Sequence, residues 1–357
     1  MKILRKTITL ILVVLAIFTL INSTKVKTFT DSNLRDRNGK TVNTAVIFFR
    51  TDDPYTMRIA ESLENIEKDN KNNIKFTFFN PQNNIAIQNE MIDSAVQGNY
   101  DLLILYLAKK EKNIVEDVIL KAQEKNIPLI LMNIPSEVVA QVSKLYSKAV
   151  FVTPDSKQAG IAQGKIIVDL WNNKKKIIDK NGDNILQYIM LEGPSDDSQV
   201  IDRTKYSIST INNAGIRREQ LALVNGNWSR ELAKNSIDNL FLKLDGSIEA
   251  IIANNDAMAL GAIDALRKYG YNSGDKFKNI VVVGIDGLPE AKDLIDKGFM
   301  TGTVIQDQDV AANLLYTVGM NLANNLNPIE NTSYKIIGDE IIIPYPYNTY
   351  TGKTNNS

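Results

Sequence analysis

The sequence has no cysteine and no histidine among its 357 residues. Without cysteine there is no thiol nucleophile, no disulfide, no iron–sulfur ligation and no lipidated cysteine for a lipoprotein anchor. Without histidine, a Ser-His-Asp triad and His-ligated zinc are excluded as well. An excess of one charge is also missing. Lysine plus arginine and aspartate plus glutamate number 41 each, so no basic field exists for nucleic acid. What remains is a chain that is 44% apolar, ample for a sizeable core and for about two domains.

Residues 1–23 carry Lys2, Arg5 and Lys6 ahead of an apolar run from Ile8 to Ile21. That is the basic and then apolar pattern of an export signal. At about 14 residues the run is short for a spanning helix of about 20. Ile21 and Ser23 make a poor cleavage site, so removal and retention as an N-terminal membrane anchor both stay open. Residues 24–43 read as a polar linker.

From Thr44 on, strand-like and helix-like stretches alternate. The predicted strands include Ala45–Phe49, Ile74–Phe79, Asp101–Tyr106, Pro128–Met132 and Ala149–Val152. After Asp155 the alternation restarts, with Ile185–Met190, Leu221–Val224, Ala250–Ala253, Ile280–Ile285 and Met300–Ile305, and a late strand at Ile341–Ile343. Strands alternating with helices mean βαβ units and parallel sheets. The fold class is α/β, with two similar Rossmann-like lobes. The tail from Thr349 is expected to be disordered.

Ile248–Ala262 is a short apolar run that breaks into Asn254-Asn255-Asp256 and resumes as an Ala-rich helix, for which Asp256 is the expected N-cap. Ligands of open α/β sheets bind beyond the carboxyl ends of strands. Asn254 and Asn255 are therefore either ligand contacts or plain turn residues. Other polar and aromatic side chains fall at similar strand ends: Asp53, Tyr55, Asn133, the Asp196–Arg203 stretch, Trp228, Asp286 and Gln306. Such a set suits a small hydroxylated ligand between two domains, since amides and carboxylates bond hydroxyls and aromatic faces pack on C–H faces. Singly each has a plainer reading, Asp53 and Asp286 as N-caps, Trp228 and Tyr55 as satellite core.

Asp179-Lys-Asn181-Gly-Asp183-Asn-Ile185-Leu-Gln187 places oxygen ligands at positions 1, 3, 5 and 9 of a loop, with the Ile185 carbonyl at 7. This is most of an EF-hand-type calcium loop. Asn184 replaces the turn glycine, and Met190 stands where a bidentate glutamate belongs. The loop needs a carboxylate from elsewhere, and otherwise it is an ordinary polar turn. Gly160-Ile-Ala-Gln-Gly164-Lys165 is one residue short of a phosphate loop and reads as helix packing.

The strings Ile251–Ala262, Gly284–Ala291 and Asp179–Gln187 together resemble the exported glucose/galactose-binding proteins of ABC sugar uptake, over about Ala45 to Tyr347. The resemblance implies a type I periplasmic binding protein. Its first lobe would hold residues 44–153 with 306–334, its second 154–305 with 335–348, and its three hinge crossings would lie near Thr153–Asp155, Thr303–Gln306 and Tyr334–Gly338. It also implies a calcium cofactor whose distant glutamate is Glu249, completing Asp179, Asn181, Asp183, Ile185 and Gln187. For the sugar it implies Tyr55 and Trp228 as ring-stacking aromatics, with Asp53, Asn133, Arg203, Asn255 and Asp286 as polar contacts. Three positions depart from the family: Asp197 replaces a histidine, Gln199 an aspartate and Gln306 an asparagine. They alter the hydrogen-bond code at one end of the ring, and leave open galactose, glucose, another monosaccharide or a polyol.

The expected function is therefore a monomeric, exported binding protein, in the periplasm or on the outer face of the cytoplasmic membrane, delivering a sugar to an ABC permease. The alternative is a membrane-anchored sensor reporting to a chemoreceptor or histidine kinase. An enzyme is not expected: Asp196 and Asp197 are adjacent and diverge, whereas a glycosidase pair flanks one bond at ~5–10 Å.

Overall fold

Strand-forming runs without a single charge can only be stable if both faces of the sheet are covered, and the molecule is built that way twice. The structure, a computed structural model, describes residues 40–244 and 246–352. The export segment, most of the linker and residues 353–357 lie outside them. Among the described residues no helix is long and apolar enough to cross a membrane.

In the first sheet β1 (Val42–Phe48) lies between β2 (Ile74–Phe79) and β3 (Leu102–Tyr106), all parallel. The parallel run continues through β4 (Leu129–Met132) and β5 (Ala149–Thr153). In the second, β6 (Leu186–Glu192) lies between β7 (Arg218–Asn225) and β8 (Ala250–Ala253), and β9 (Val281–Asp286) and β10 (Gly302–Ile305) extend it. Each lobe thus reverses its direction of growth at its first strand, between β1 and β3 and between β6 and β8. Such switch points open a crevice at the strands' carboxyl ends, and every candidate ligand residue lies at that end.

The structure corrects four expectations. Lys335–Ile337 (β11) and Glu340–Ile342 (β12) form a hairpin whose second strand pairs in parallel with β5, so they belong to the first lobe. The third crossing accordingly falls later: Ile343 N still donates to Thr153 O, while Asn348 O accepts from Ile305 N in the second lobe. Thr349–Tyr350 (β13) is ordered as an antiparallel edge strand on β10, because the edge of β10 otherwise leaves backbone groups unpaired. The linker ends sooner than its composition suggests, β1 starting at Val42. Helix Ser136–Val142, too short to show a period, was not legible in the sequence.

Taking the helices in chain order, α1 is Pro54–Asp69, α2 Ile85–Gln97, α3 Lys112–Glu124, α4 Ser136–Val142, α5 Ser156–Ile178, α6 Ser198–Asn213, α7 Arg230–Leu244, α8 Asp256–Arg267, α9 Pro289–Asp296 and α10 Gln308–Ala323. Helix α5 lacks side chains where it meets α6. A Cβ on Gly160 would stand 2.7 Å from Arg203 O, and one on Gly164 2.6 Å from Ser207 O. The two glycines serve helix packing, and they set the position of the helix that carries Arg203. Gly164→Val should cost ~1–3 kcal/mol of stability through overpacking. Chemical denaturation checks this, and an unchanged midpoint would argue against the close contact.

Candidate functional site

Ten residues line a cavity between the lobes: Arg50, Asp53, Tyr55, Tyr106 and Asn133 from the first, Gln199, Arg203, Trp228, Asn255 and Asp286 from the second. The loop after β1 supplies Asp53, whose carboxylate caps α1 by accepting from Thr56 N at 3.0 Å. Burial raises its pKa, against the pull of Thr56 and Arg50. Tyr55 is hydrogen-bonded through its hydroxyl to that of Tyr345 in the third crossing. Asn133, just past β4, is in the left-handed region (φ 56°), and its buried Oδ1 has no hydrogen-bond partner.

Arg203 organises the opposite wall. It is buried on α6 and donates from Nη1 to Asn254 O at 2.7 Å, and from Nη2 to Gln306 Oε1 at 2.9 Å and Gln199 Oε1 at 3.2 Å. Its Nε is buried without a partner. Nη1 stands 4.0 Å from Asp286 Oδ1, and the guanidinium lies 5.4 Å from the centroid of the Trp228 ring. Trp228 is held at φ 59° after β7 and sits over Gly193, where a Cβ would stand 2.3 Å from its ring. Asp286, at the end of β9, has φ 131°. Non-glycine residues in such conformations cost ~1–3 kcal/mol each and gather at functional sites. Burial pushes the Asp286 carboxyl well above the ordinary range, with Arg203 opposing and Asp256 and Asp53 adding to the rise.

Asn255 takes the cap expected of Asp256 and keeps its own expected place at the cavity. Asn255 is the N-cap of α8, accepting from Met258 N at 3.0 Å, and it also faces the cavity. Asp256 turns inward, where its carboxylate accepts from Leu288 N at 2.8 Å and Thr303 Oγ1 at 2.7 Å. The N-cap position needs extended backbone, and Asn255 rather than Asp256 has it. Burial raises the Asp256 pKa to about 6. The folded state then binds this proton more tightly than the unfolded chain, so the penalty for burying the charge is fully present above about 6 and gone below the ordinary value of 3.8. Ligand-free protein should therefore gain stability as pH falls from 7 to 5, and Asp256→Asn should flatten that trend. Melting temperatures across the interval test it, and a steady decline from pH 7 to 5 contradicts it.

Two candidates stand off the cavity lining. Asp197 caps α6 by accepting from Gln199 N at 2.9 Å, and its other oxygen pairs with Lys110 Nζ at 3.1 Å across the lobes. Gln306 acts behind Arg203 as its acceptor. Conversely, Arg50 and Tyr106 line the cavity and were not singled out in the sequence. Both stand at or just after predicted strand ends, the signal that found the others. Arg50 also bridges the lobes, donating from Nη1 to Asn227 O at 2.7 Å.

The loop between α5 and β6 gathers the second set. Asp183 accepts from Ile185 N at 2.8 Å and Gln187 Nε2 at 2.7 Å, and Asp183 N donates to Asn181 Oδ1 at 2.9 Å. Asn184 takes φ 63°, as the missing turn glycine requires. Glu249 arrives from the start of β8 and accepts from Lys180 N at 2.7 Å and Gln187 N at 3.1 Å. Asp179 Oδ1 is buried with no partner. The donors are all oxygens and one carboxylate oxygen is orphaned, which fits a hard cation. Amide groups stand between the carboxylates, however, and among the described residues no three Asp or Glu form a metal-holding group.

The sequence profile of the periplasmic binding protein domain matches residues 44–327. The D-galactose/methyl-galactoside binding periplasmic protein MglB of Haemophilus influenzae is 31% identical over 303 residues, 84% of this chain and 87% of that protein. A xylitol-binding protein of Mycolicibacterium smegmatis is 26% identical over 239 residues, 67% and 61% of the two chains. Among solved structures, a solute binding protein of an ABC transporter from Bacillus halodurans with bound myo-inositol superposes with a TM-score of 0.67 at 22% identity, over 86% of this chain and 96% of that one. At that identity the likeness speaks for the fold.

Proposed function

The chain belongs to the periplasmic binding protein family, and from that premise we propose that it is an exported sugar-binding protein of an ABC transporter, which holds one galactose- or glucose-like monosaccharide between its lobes and does no chemistry on it. The observation that carries this reading is the interlobe cavity, where three aromatic rings, Tyr55, Tyr106 and Trp228, stand among buried hydrogen-bonding groups of which Asn133 Oδ1 and Arg203 Nε have no partner. A buried unsatisfied group costs ~1–3 kcal/mol, which a ligand hydroxyl can recover. The two lobes contribute five lining residues each, so a bound ring favours the closed arrangement by its extra affinity for it. The closed outer face is then what the permease recognises. The sensor alternative rests on residues 1–23, outside the described part.

A thermal-shift panel of D-galactose, D-glucose, D-allose, D-ribose, xylitol and myo-inositol tests the reading. A ligand at 100 times its Kd stabilises by about 2.7 kcal/mol, so at least one sugar should raise the melting temperature in a saturable way. A panel without any shift would oppose the proposal.

The proposal includes calcium at the α5–β6 loop, ligated by Asp179, Asn181, Asp183, the Ile185 carbonyl, Gln187 and Glu249. Such an ion would neutralise the loop's carboxylates and tie it to β8. A chelator should lower the melting temperature, and Glu249→Gln should remove that response. Identical melting of the unmutated protein with and without chelator would refute it.

A further inference from the structure

We infer that Lys110 and Asp197 form a clasp across the lobes that exists only when they close, and that it holds the cleft shut without touching the ligand. The inference rests on the cleft being the ligand site. Lys110 lies between β3 and α3 in the first lobe, and Asp197 heads α6 in the second. Nζ and Oδ2 are 3.1 Å apart, and the side chains are only 13% and 9% exposed. Neither lines the cavity. Both line the wider opening in front of it, which shares Arg50, Tyr106 and Trp228 with the cavity. The pair therefore stands between the ligand and solvent.

Each partner is also fixed from its own side. The Lys110 ammonium lies 5.0 Å from the centroid of the Tyr106 ring, a cation–π contact. The second Asp197 oxygen accepts from Gln199 N and so sets the first turn of α6, the helix that presents Gln199 and Arg203 to the cavity. A contact between lobes is lost when a hinge opens, so its free energy goes entirely to the closed state. Shielded from water, the pair is weakly screened, and removing one partner leaves the other charge stranded. Asp197 is in this view a positioning residue and a closure residue, in place of the sugar contact expected from the sequence.

The test compares unmutated protein with Lys110→Met, Asp197→Asn and the double variant. Asparagine keeps the helix cap, so Asp197→Asn isolates the ion pair. Affinity and dissociation rate are measured for the six sugars of the thermal-shift panel. Each single variant should bind about 10- to 100-fold more weakly, chiefly through faster dissociation. The double variant should lose less than the product of the two, and ligand-free melting should stay near that of the unmutated protein. Binding within twofold of the unmutated protein, or an equal fall in ligand-free melting, would overturn the clasp. A second arm needs no sugar. The chain has no native cysteine, so spin labels at Ile85→Cys and Leu232→Cys, exposed and uncharged on either side of the opening, report the lobe separation without altering the charges around the pair. Lys110→Met should depopulate the short distances in ligand-free protein, and identical distance distributions would overturn the inference. If the unmutated protein binds none of the sugars, the proposed function fails, and the label distances decide the clasp by themselves.

Discussion

Arg203→Ala is expected to weaken sugar binding by roughly 1,000-fold or more and to destabilise the ligand-free protein as well. The size follows from what the guanidinium holds. It ties together three segments, α6 through Gln199, the end of β8 through Asn254 O and the second crossing through Gln306. Its loss leaves three acceptors unpaired, and leaves Asp286, 3% exposed, without the cation that opposes its burial. Stranding one member of a buried charged pair costs ~3–5 kcal/mol. Arg203→Lys should recover little, since a point charge cannot serve acceptors in three directions as a planar fork does. Titration calorimetry with the sugars of the panel and denaturant unfolding measure the two effects. Binding within tenfold of the unmutated protein would mean that Arg203 is a strut of the second lobe alone.

Trp228→Ala should separate binding from stability. The indole is half-buried, rests on Gly193 and faces the cavity. Its removal takes away a large apolar face but no buried hydrogen bond of the side chain. Loss of aromatic packing on one ring face should weaken affinity about 100-fold or more, by analogy with ~1–3 kcal/mol per stacked ring plus lost burial. Ligand-free melting should fall less than affinity does, because the half-buried ring packs only at the margin of the second-lobe core and alanine tolerates the left-handed conformation no worse than tryptophan. Unchanged affinity would remove the ring from the site.

Much of this was legible in the sequence because it follows from periodicity. The buried strands read as apolar runs, and the groups that line the cavity fall at or beyond the ends of those runs. Ile74–Phe79 was placed to the residue. The Gly160/Gly164 spacing was rightly separated from a phosphate loop, and the structure supplies the helix backbone that needs it. What stayed hidden depends on contacts distant in sequence. Nothing local tells that β11 and β12 return to the first lobe, since three-residue strands carry no period and their partner, β5, is almost 200 residues away. Nothing local distinguishes Asn255 from Asp256 as the cap; the backbone conformation of Asn255 and the distant partners Leu288 and Thr303 decide it. Asp197 is the sharpest case. Its neighbours in sequence pointed to the ligand, and its partner Lys110 lies 87 positions away in the other lobe.

The central claim is that the cleft between the lobes holds a single small sugar, and titration calorimetry of the purified protein against D-galactose and the rest of the panel tests it most directly. The prediction is a saturable one-to-one isotherm for at least one sugar, with a negative heat-capacity change from the buried ring, and binding roughly 1,000-fold weaker or more by Arg203→Ala. No saturable heat from any of the six would contradict it.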